Sequence, residues 1–436
     1  MTSGTYVRLG AAVFAAAALT ALVPQGALGQ AGTTTGVRSS AYNSWGGSFD
    51  ASPYGALDMA DKVEVGKVHL KPHLGTWITL DRNVFFTEED EVEDWSLTVA
   101  PGVLLLLGNP SKNYLSANFD YQWVMYQDET TEDYSGPQLA ADAHYDLART
   151  TLHVSERYSD TRLRAVEDSQ EVERQANVLS ASAERYLSSK TSAGLDGLYE
   201  IHNYVKDDYV DYYEYRAGGR LYYRVFPKTD VFGDLGYGWV NLDPLPASLN
   251  DALSDRFDRQ ITGSYGDATY QQVSVGVRGE LGRKTTASGR VGYEHREFED
   301  ASIEDIDTWV TGAGLATKFT GRMEGGVEVS RRIFPWSTVP GNSAVALAVS
   351  PYVRRQLYRN RVSGSISATY EEIDYYDPAG KTDRNDETLT VTGLVDWRVR
   401  RNFTTGVGYS YTRYDTTESD ATTERDRIII RANYNY

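Results

Sequence analysis

Cysteine is absent from the 436 residues. That single absence excludes disulfide scaffolds, thiolate metal sites and cysteine nucleophiles together. Positive charge is in short supply, with 43 Lys and Arg against 61 Asp and Glu and a formal net charge of −18. A surface this acidic repels phosphates, so nucleic acid is not expected as a partner. Long hydrophobic runs are missing as well. After residue 30 the longest unbroken apolar stretches are Val103–Leu107, at five residues, and Ala344–Val349, at six. Neither approaches the length of a transmembrane helix.

Apolar residues still make up 41% of the chain and aromatics 12%, too many for a disordered polymer. Tyrosine is the unusual component, at 32 against 12 Phe. Its apolar ring and wet hydroxyl suit the boundary between membrane and water.

The N-terminus has the layout of a secretory signal peptide over residues 1–29. Arg8 supplies the positive charge, Leu9–Val23 the apolar core, and Pro24 the break. Ala27 and Gly29 place small residues at the −3 and −1 positions of a cleavage site before Gln30. Residues 30–60 are rich in Gly, Ser and Thr and have no periodicity, which predicts a flexible periplasmic leader. An exported chain without apolar helices can be soluble in the periplasm, secreted, or a barrel in the outer membrane.

From residue 61 onward, segments of 10–15 residues alternate apolar with polar. In Glu387–Arg400, Leu389, Val391, Val395, Trp397 and Val399 share one face, and Thr388, Thr390, Thr392, Asp396 and Arg398 the other. Tyr114–Tyr126, Tyr212–Phe226 and Tyr270–Leu281 repeat the pattern. A period of two is that of a β-strand. Soluble strands average about 5–6 residues; these are about twice as long, the length that crosses a bilayer at a tilt. The polar face carries Arg and Glu deep within the segment, as a strand does between lipid and a wet lumen. Eight short connections alternate with nine longer polar ones, which predicts about 18 antiparallel strands with short periplasmic turns and long outer loops. The fold class is thus all-β, a transmembrane β-barrel over 61–436. The last segment, Glu424–Tyr436, sets Ile428, Ile430, Ala432, Tyr434 and Tyr436 on one face. An amphipathic final strand ending on an aromatic resembles the signal read by the barrel assembly machinery, with Tyr434 and Tyr436 as its carriers.

The segments Leu70-Lys71-Pro72-His73-Leu74, Leu80-Asp81-Arg82-Asn83-Val84-Phe85 and Val99-Ala100-Pro101-Gly102-Val103 resemble those of the putative β-barrel porin 2 type of outer-membrane proteins. In that family a proline-containing strand leads into a loop opening with Asp and Asn, then a strand starting near Pro-Gly; here Arg82 separates the Asp from the Asn. The resemblance covers roughly 60–436 and implies one large single-chain barrel. It also implies, from some members only, a link to exopolysaccharide export beside a periplasmic polysaccharide-export protein.

Enzyme signals are poor. The six histidines form no HExxH pattern, and no G-x-S-x-G occurs. His69 and His73 fall on one side of a strand, but the sequence names no third metal ligand. No cofactor or metal is expected, and no catalytic role. The interior says more. Alternation turns Arg216, Arg220, Arg224, Arg278, Arg290, Arg296, Arg354, Arg398 and Arg431 inward, with Glu280, Glu294, Glu328 and Asp396. Charges on a pore wall set up a transverse field and bias ion passage; the alternative is that they pair and fill the interior. Acidic clusters at 88–94, 207–211 and 383–387 belong to predicted outer loops. They form a cation-attracting vestibule or bridge through divalent ions to lipopolysaccharide, or they are simply solvated. The longest loop, 241–266, places Leu245, Leu249 and Leu253 at i, i+4 and i+8, one face of a short helix and a candidate constriction.

The sequence thus predicts an outer-membrane channel for polar solutes, seated among lipid and lipopolysaccharide. A closed structural or adhesive barrel presenting acidic loops is the alternative.

Overall fold

The computed structural model describes residues 63–65, 68–109, 112–164, 171–205, 209–243, 266–335, 343–358, 361–376, 382–417 and 421–436. Residues 1–62, with the predicted signal peptide and leader, lie outside this set, as do Leu245, Leu249 and Leu253.

The strands run in chain order as β1 (Val63–Val65), β2 (Val68–Asp81), β3 (Asp94–Gly108), β4 (Tyr114–Tyr126), β5 (Tyr134–Asp146), β6 (Thr150–Arg164) and β7 (Glu171–Tyr186). They continue as β8 (Thr191–Tyr204), β9 (Tyr212–Phe226), β10 (Thr229–Leu242), β11 (Ala268–Glu280), β12 (Thr285–Phe298) and β13 (Ile306–Thr320). The last six are β14 (Met323–Pro335), β15 (Ser343–Tyr358), β16 (Val362–Tyr376), β17 (Thr382–Arg400), β18 (Phe403–Thr416) and β19 (Ala421–Asn435). Each of β2 to β19 pairs antiparallel with its sequence neighbours, and β19 returns to pair with β2, Ile428 opposite Leu80 and Tyr434 opposite Leu74. The result is a closed 18-stranded antiparallel barrel. Closure leaves no strand edge unpaired, which is what allows a sheet to sit in hydrocarbon. The short β1 pairs with the first residues of β2, Val63 opposite Leu70.

Eight turns of two to five residues lie at the end that also holds the C-terminus, and nine links of four to 25 residues lie at the other. The strands run further into the long links than periodicity suggests. β17 begins at Thr382, and β7 at Glu171 pairs back to Arg164. Paired strands extend as hairpin ends beyond the membrane, where alternation is no longer enforced by lipid on one face.

Exposure separates the two faces. On β10, Val231, Leu235, Tyr237 and Trp239 point out and are well exposed, while Asp234 between them is 1% exposed. Trp95, Trp123, Trp239 and Trp309 lie on the exterior toward the long-loop end, and Phe319, Trp397 and Tyr436 toward the turn end. These are the two aromatic girdles of a membrane barrel, with an apolar band between them. Among the described residues no helix is long and apolar enough to cross a membrane.

The charged barrel interior as candidate functional site

On β9, Arg216, Arg220 and Arg224 recur every fourth residue and so share the interior face. On β10, Asp230 and Asp234 have the same spacing and face them across the ladder, Asp230 opposite Arg224 and Asp234 opposite Arg220. Arg216 donates from Nη1 to Asp196 Oδ2 at 2.6 Å and from Nη2 to Asp234 Oδ1 at 3.1 Å. Arg220 Nε donates to Asp234 Oδ2 at 3.0 Å, and Arg290 Nη1 lies 3.6 Å from the same oxygen. Arg224 bonds Asp230 at 3.1 Å. Arg278 on β11 bonds Glu184 on β7 at 2.7 Å and lies 3.3 Å from Asp230. Its guanidinium lies over the Tyr222 ring, 3.7 Å from the centroid. Five arginines thus share the four carboxylates Glu184, Asp196, Asp230 and Asp234. A guanidinium offers five N–H donors in a fixed fork, and Arg216 Nε and Arg278 Nη1 are buried without an acceptor among the described residues.

Glycine makes room for this network at Gly236. A Cβ there would meet Arg216 Nη2 at 2.8 Å. A β-carbon and a guanidinium cannot both occupy that space, so the arginine lies flat on the wall only over glycine.

A second interior cluster sits toward the long-loop end. Glu294 accepts from Arg296 at 2.9 Å, and His202 contacts Glu200 at 2.6 Å while stacking on Tyr212. The Tyr270 hydroxyl donates to Glu214, and Arg296 lies over the Tyr270 ring. Arg384, Asp386 and Tyr414 form a closed triangle, Arg384 Nη2 donating to Asp386 at 2.6 Å and to the Tyr414 oxygen at 2.6 Å. Arg431 grips Asp396 with two bonds of 2.8 and 2.7 Å, and Arg425 grips Asp81 across the seam that closes the barrel.

The predicted interior positions therefore fall into different settings. Arg216, Arg220, Arg224, Arg278 and Arg290 come together in one network, Glu294 with Arg296 in another, and Asp396 with Arg431 as a pair. Arg354 lies opposite Glu324 on the interior face, Glu328 faces the interior and is solvent-exposed, and Arg398 lies near the turn end of β17. Glu280 departs from expectation. It ends β11 at the rim and pairs with Lys228 at 2.6 Å instead of lining the wall. Gly279 before it has φ +139, a conformation that favours glycine. Tyr434 and Tyr436 lie edge to face at the turn end, and the Tyr436 N–H donates to the Pro72 carbonyl at 2.9 Å.

The carboxylates Glu184, Asp196, Asp230 and Asp234 were not singled out from the sequence. A signal existed in the alternation of β10, where Asp230, Phe232 and Asp234 oppose Val231, Gly233 and Leu235. Three residues of the acidic clusters expected in outer loops are built into the structure. Asp94 is buried and accepts from the N–H groups of Asp128 and Glu129, at 3.1 and 3.0 Å. Asp386 joins the triangle above. Asp211 accepts from the Tyr204 N–H at 2.6 Å. Burial pushes its carboxyl up to about 6, with the Asp243 charge adding to the effect and the Tyr204 bond opposing it. Burial also raises Asp243 and Asp267, so the three carboxylates around this loop are all harder to ionise than free ones.

Among the described residues no group of three or more His, Asp or Glu could hold a metal ion.

Residues 59–436 match the sequence pattern of the family described as Putative beta-barrel porin 2. None of the curated proteins matches in sequence. Solved structures with similar folds include OccAB4 of Acinetobacter baumannii, at 11% identity and TM-score 0.41 over 85% of this chain and 99% of that one. The outer membrane protein OpdK of Pseudomonas aeruginosa aligns at 10% identity and TM-score 0.43 over 84% and 99%. OccAB3 of Acinetobacter baumannii aligns at 9% identity and TM-score 0.44 over 85% and 100%.

Proposed function

The chain belongs to the Putative beta-barrel porin 2 family, and from that membership we propose that it is a passive channel for polar solutes across the bacterial outer membrane. It is a porin-like outer-membrane barrel. The observation that carries the channel reading is the contrast between its faces. Apolar and aromatic side chains cover the outside, while ion-paired arginines and carboxylates line the inside. An interior designed only to be filled would need no charge, because burying ions costs more than burying hydrocarbon. Arg220, Arg224 and Arg290 keep 23, 38 and 23% of their side chains exposed, and charges that border water exchange hydrogen bonds with a passing polar solute.

The test is single-channel conductance of the refolded protein in a planar bilayer under a KCl gradient. Steady steps support the channel. The sign of the reversal potential reports whether the interior arginines or the acidic outer loops dominate. Silence from protein shown to be folded overturns free diffusion.

One observation favours a second reading, a barrel closed at rest. Toward the long-loop end the interior-facing Ala344, Ala346, Ala348 and Glu371 are at most 2% exposed. The wall there is covered, so a resting barrel that opens only with a ligand or partner is the alternative outcome of the same recording. Export of a polysaccharide chain finds no observation in its favour and is not carried forward.

A further inference from the structure

Along most of the barrel the exterior at mid-height is apolar and protrudes. Leu195, Leu235, Val275 and Ile366, on β8, β10, β11 and β16, are 71, 64, 63 and 64% exposed. The exterior of β5–β7 differs. Glu156 is the seventh of the fifteen residues of β6 and shares the outward face with Leu152, Val154 and Tyr158. Its carboxylate accepts a hydrogen bond of 3.3 Å from Nδ2 of Asn177 on β7. One step further toward the long-loop end, Gln175 donates to Asp160 at 3.1 Å, and Asp160 Oδ1 is buried with no partner among the described residues. Ala141 and Ala143 on β5 and Ala181 and Ala183 on β7 flank the polar pairs.

Elsewhere on the outside, the charged residues Arg331, Glu387 and Arg413 lie in the long-loop halves of their strands. Glu156 stands halfway. Lipid tails offer no donor or acceptor, so a carboxylate at this depth is costly wherever hydrocarbon meets it. Protein covering the patch removes that cost, and small flanking residues let a second backbone come close. The patch is complementary to itself. Each amide of Asn177 and Gln175 keeps an N–H beyond the one it donates, and each carboxylate keeps lone pairs. A two-fold axis along the membrane normal, passing between β6 and β7, sets Glu156 of one copy opposite Asn177 of the other at equal height.

We propose that the exterior face of β5–β7 is the contact surface for a second copy of this chain within the membrane. The interface is isologous, with Glu156 and Asn177 at its centre and the alanines around them.

The absence of cysteine makes the test clean. Full-length Ala181→Cys and Leu235→Cys proteins, assembled in bacterial outer membranes, are treated with a short bis-maleimide. The expected result is a two-chain product from Ala181→Cys and none from Leu235→Cys. In mild detergent the wild type is expected to have the mass of two chains, and Glu156→Leu that of one. A single-chain wild type without cross-linking at 181 overturns the proposal, as does a cross-linked product containing a different protein. So does a Glu156→Leu variant that gains resistance to urea at unchanged mass, because that is the behaviour of a carboxylate facing lipid.

Discussion

Arg278 on β11 donates to Glu184 on β7 at 2.7 Å, although three strands lie between them in the wall. The bond is a chord across the barrel interior. Both side chains are largely buried. Removing one partner strands the other, which costs on the order of 3 kcal/mol for a buried pair. Arg278→Met is therefore expected to lower the stability of the refolded barrel by about that amount in urea titration. It is also expected to raise unit conductance, because a guanidinium no longer reaches across the interior there. Unchanged conductance would place the pair outside the permeation path.

The outer loops carry a pH dependence of their own. Burial places the Asp211 carboxyl at about 6, above its ordinary 3.8. The folded protein therefore holds this proton more tightly than the unfolded chain does. The stabilisation is complete below about pH 4 and is lost as the pH rises through 6. Asp211→Asn fixes the neutral form and keeps an acceptor for the Tyr204 N–H. Its urea midpoint is expected to match wild type at pH 4 and to exceed it at pH 8. Equal midpoints at both pH values would refute burial as the cause.

Gly102 on β3 sits beneath a hydrogen bond that bridges its two neighbouring strands, His73 Nε2 to Asp120 Oδ1 at 2.7 Å. A Cβ at 102 would lie 2.3 Å from Asp120 Oδ1, 2.4 Å from His73 Nε2 and 2.7 Å from the Phe119 carbonyl oxygen. The side chains can swing away, but the carbonyl cannot. Gly102→Ala is expected to cost about 1–3 kcal/mol as overpacking, measured by the urea midpoint. His73→Ala beside it is expected to recover part of that loss, because it frees the space above the new methyl group.

The exterior band makes a depth-dependent prediction. Leu235 lies at mid-strand on the lipid face, and Val225 next to the turn end. Leu235→Arg is expected to destabilise the barrel in phospholipid bilayers by about 2–4 kcal/mol, and Val225→Arg by about 0–1 kcal/mol. Equal costs would mean that the band does not sit where the girdles place it.

The final strand tests assembly. Deleting Tyr436 removes an exposed exterior aromatic and the amide that bonds Pro72 across the seam. The expected outcome is a lower fraction of folded protein in the outer membrane of expressing cells. Tyr436→Phe keeps both the ring and the amide and is expected to assemble normally.

Periodicity alone was enough for strand number, direction and facing, because lipid imposes one rule on every spanning strand. Leu389 and Thr390 on β17 could be assigned to opposite faces without any partner in view. So could Leu221 and Arg220 on β9, because each pair alternates between hydrocarbon and the interior. The tertiary structure decided which interior charges meet. Asp234 gathers Arg216, Arg220 and Arg290 because strand register sets it opposite Arg220 and within reach of the other two guanidinium groups, and register depends on turns, bulges and shear that alternation does not encode. It also decided that Glu280 belongs to the rim, where it pairs with Lys228, and that Glu184 reaches Arg278 across the barrel. The physical reason is the range of the forces involved. Partition between lipid and water acts on each residue by itself and is written in the local sequence. Pairing between charges depends on distances of a few ångströms between segments far apart in the chain, and only closure of the barrel fixes those.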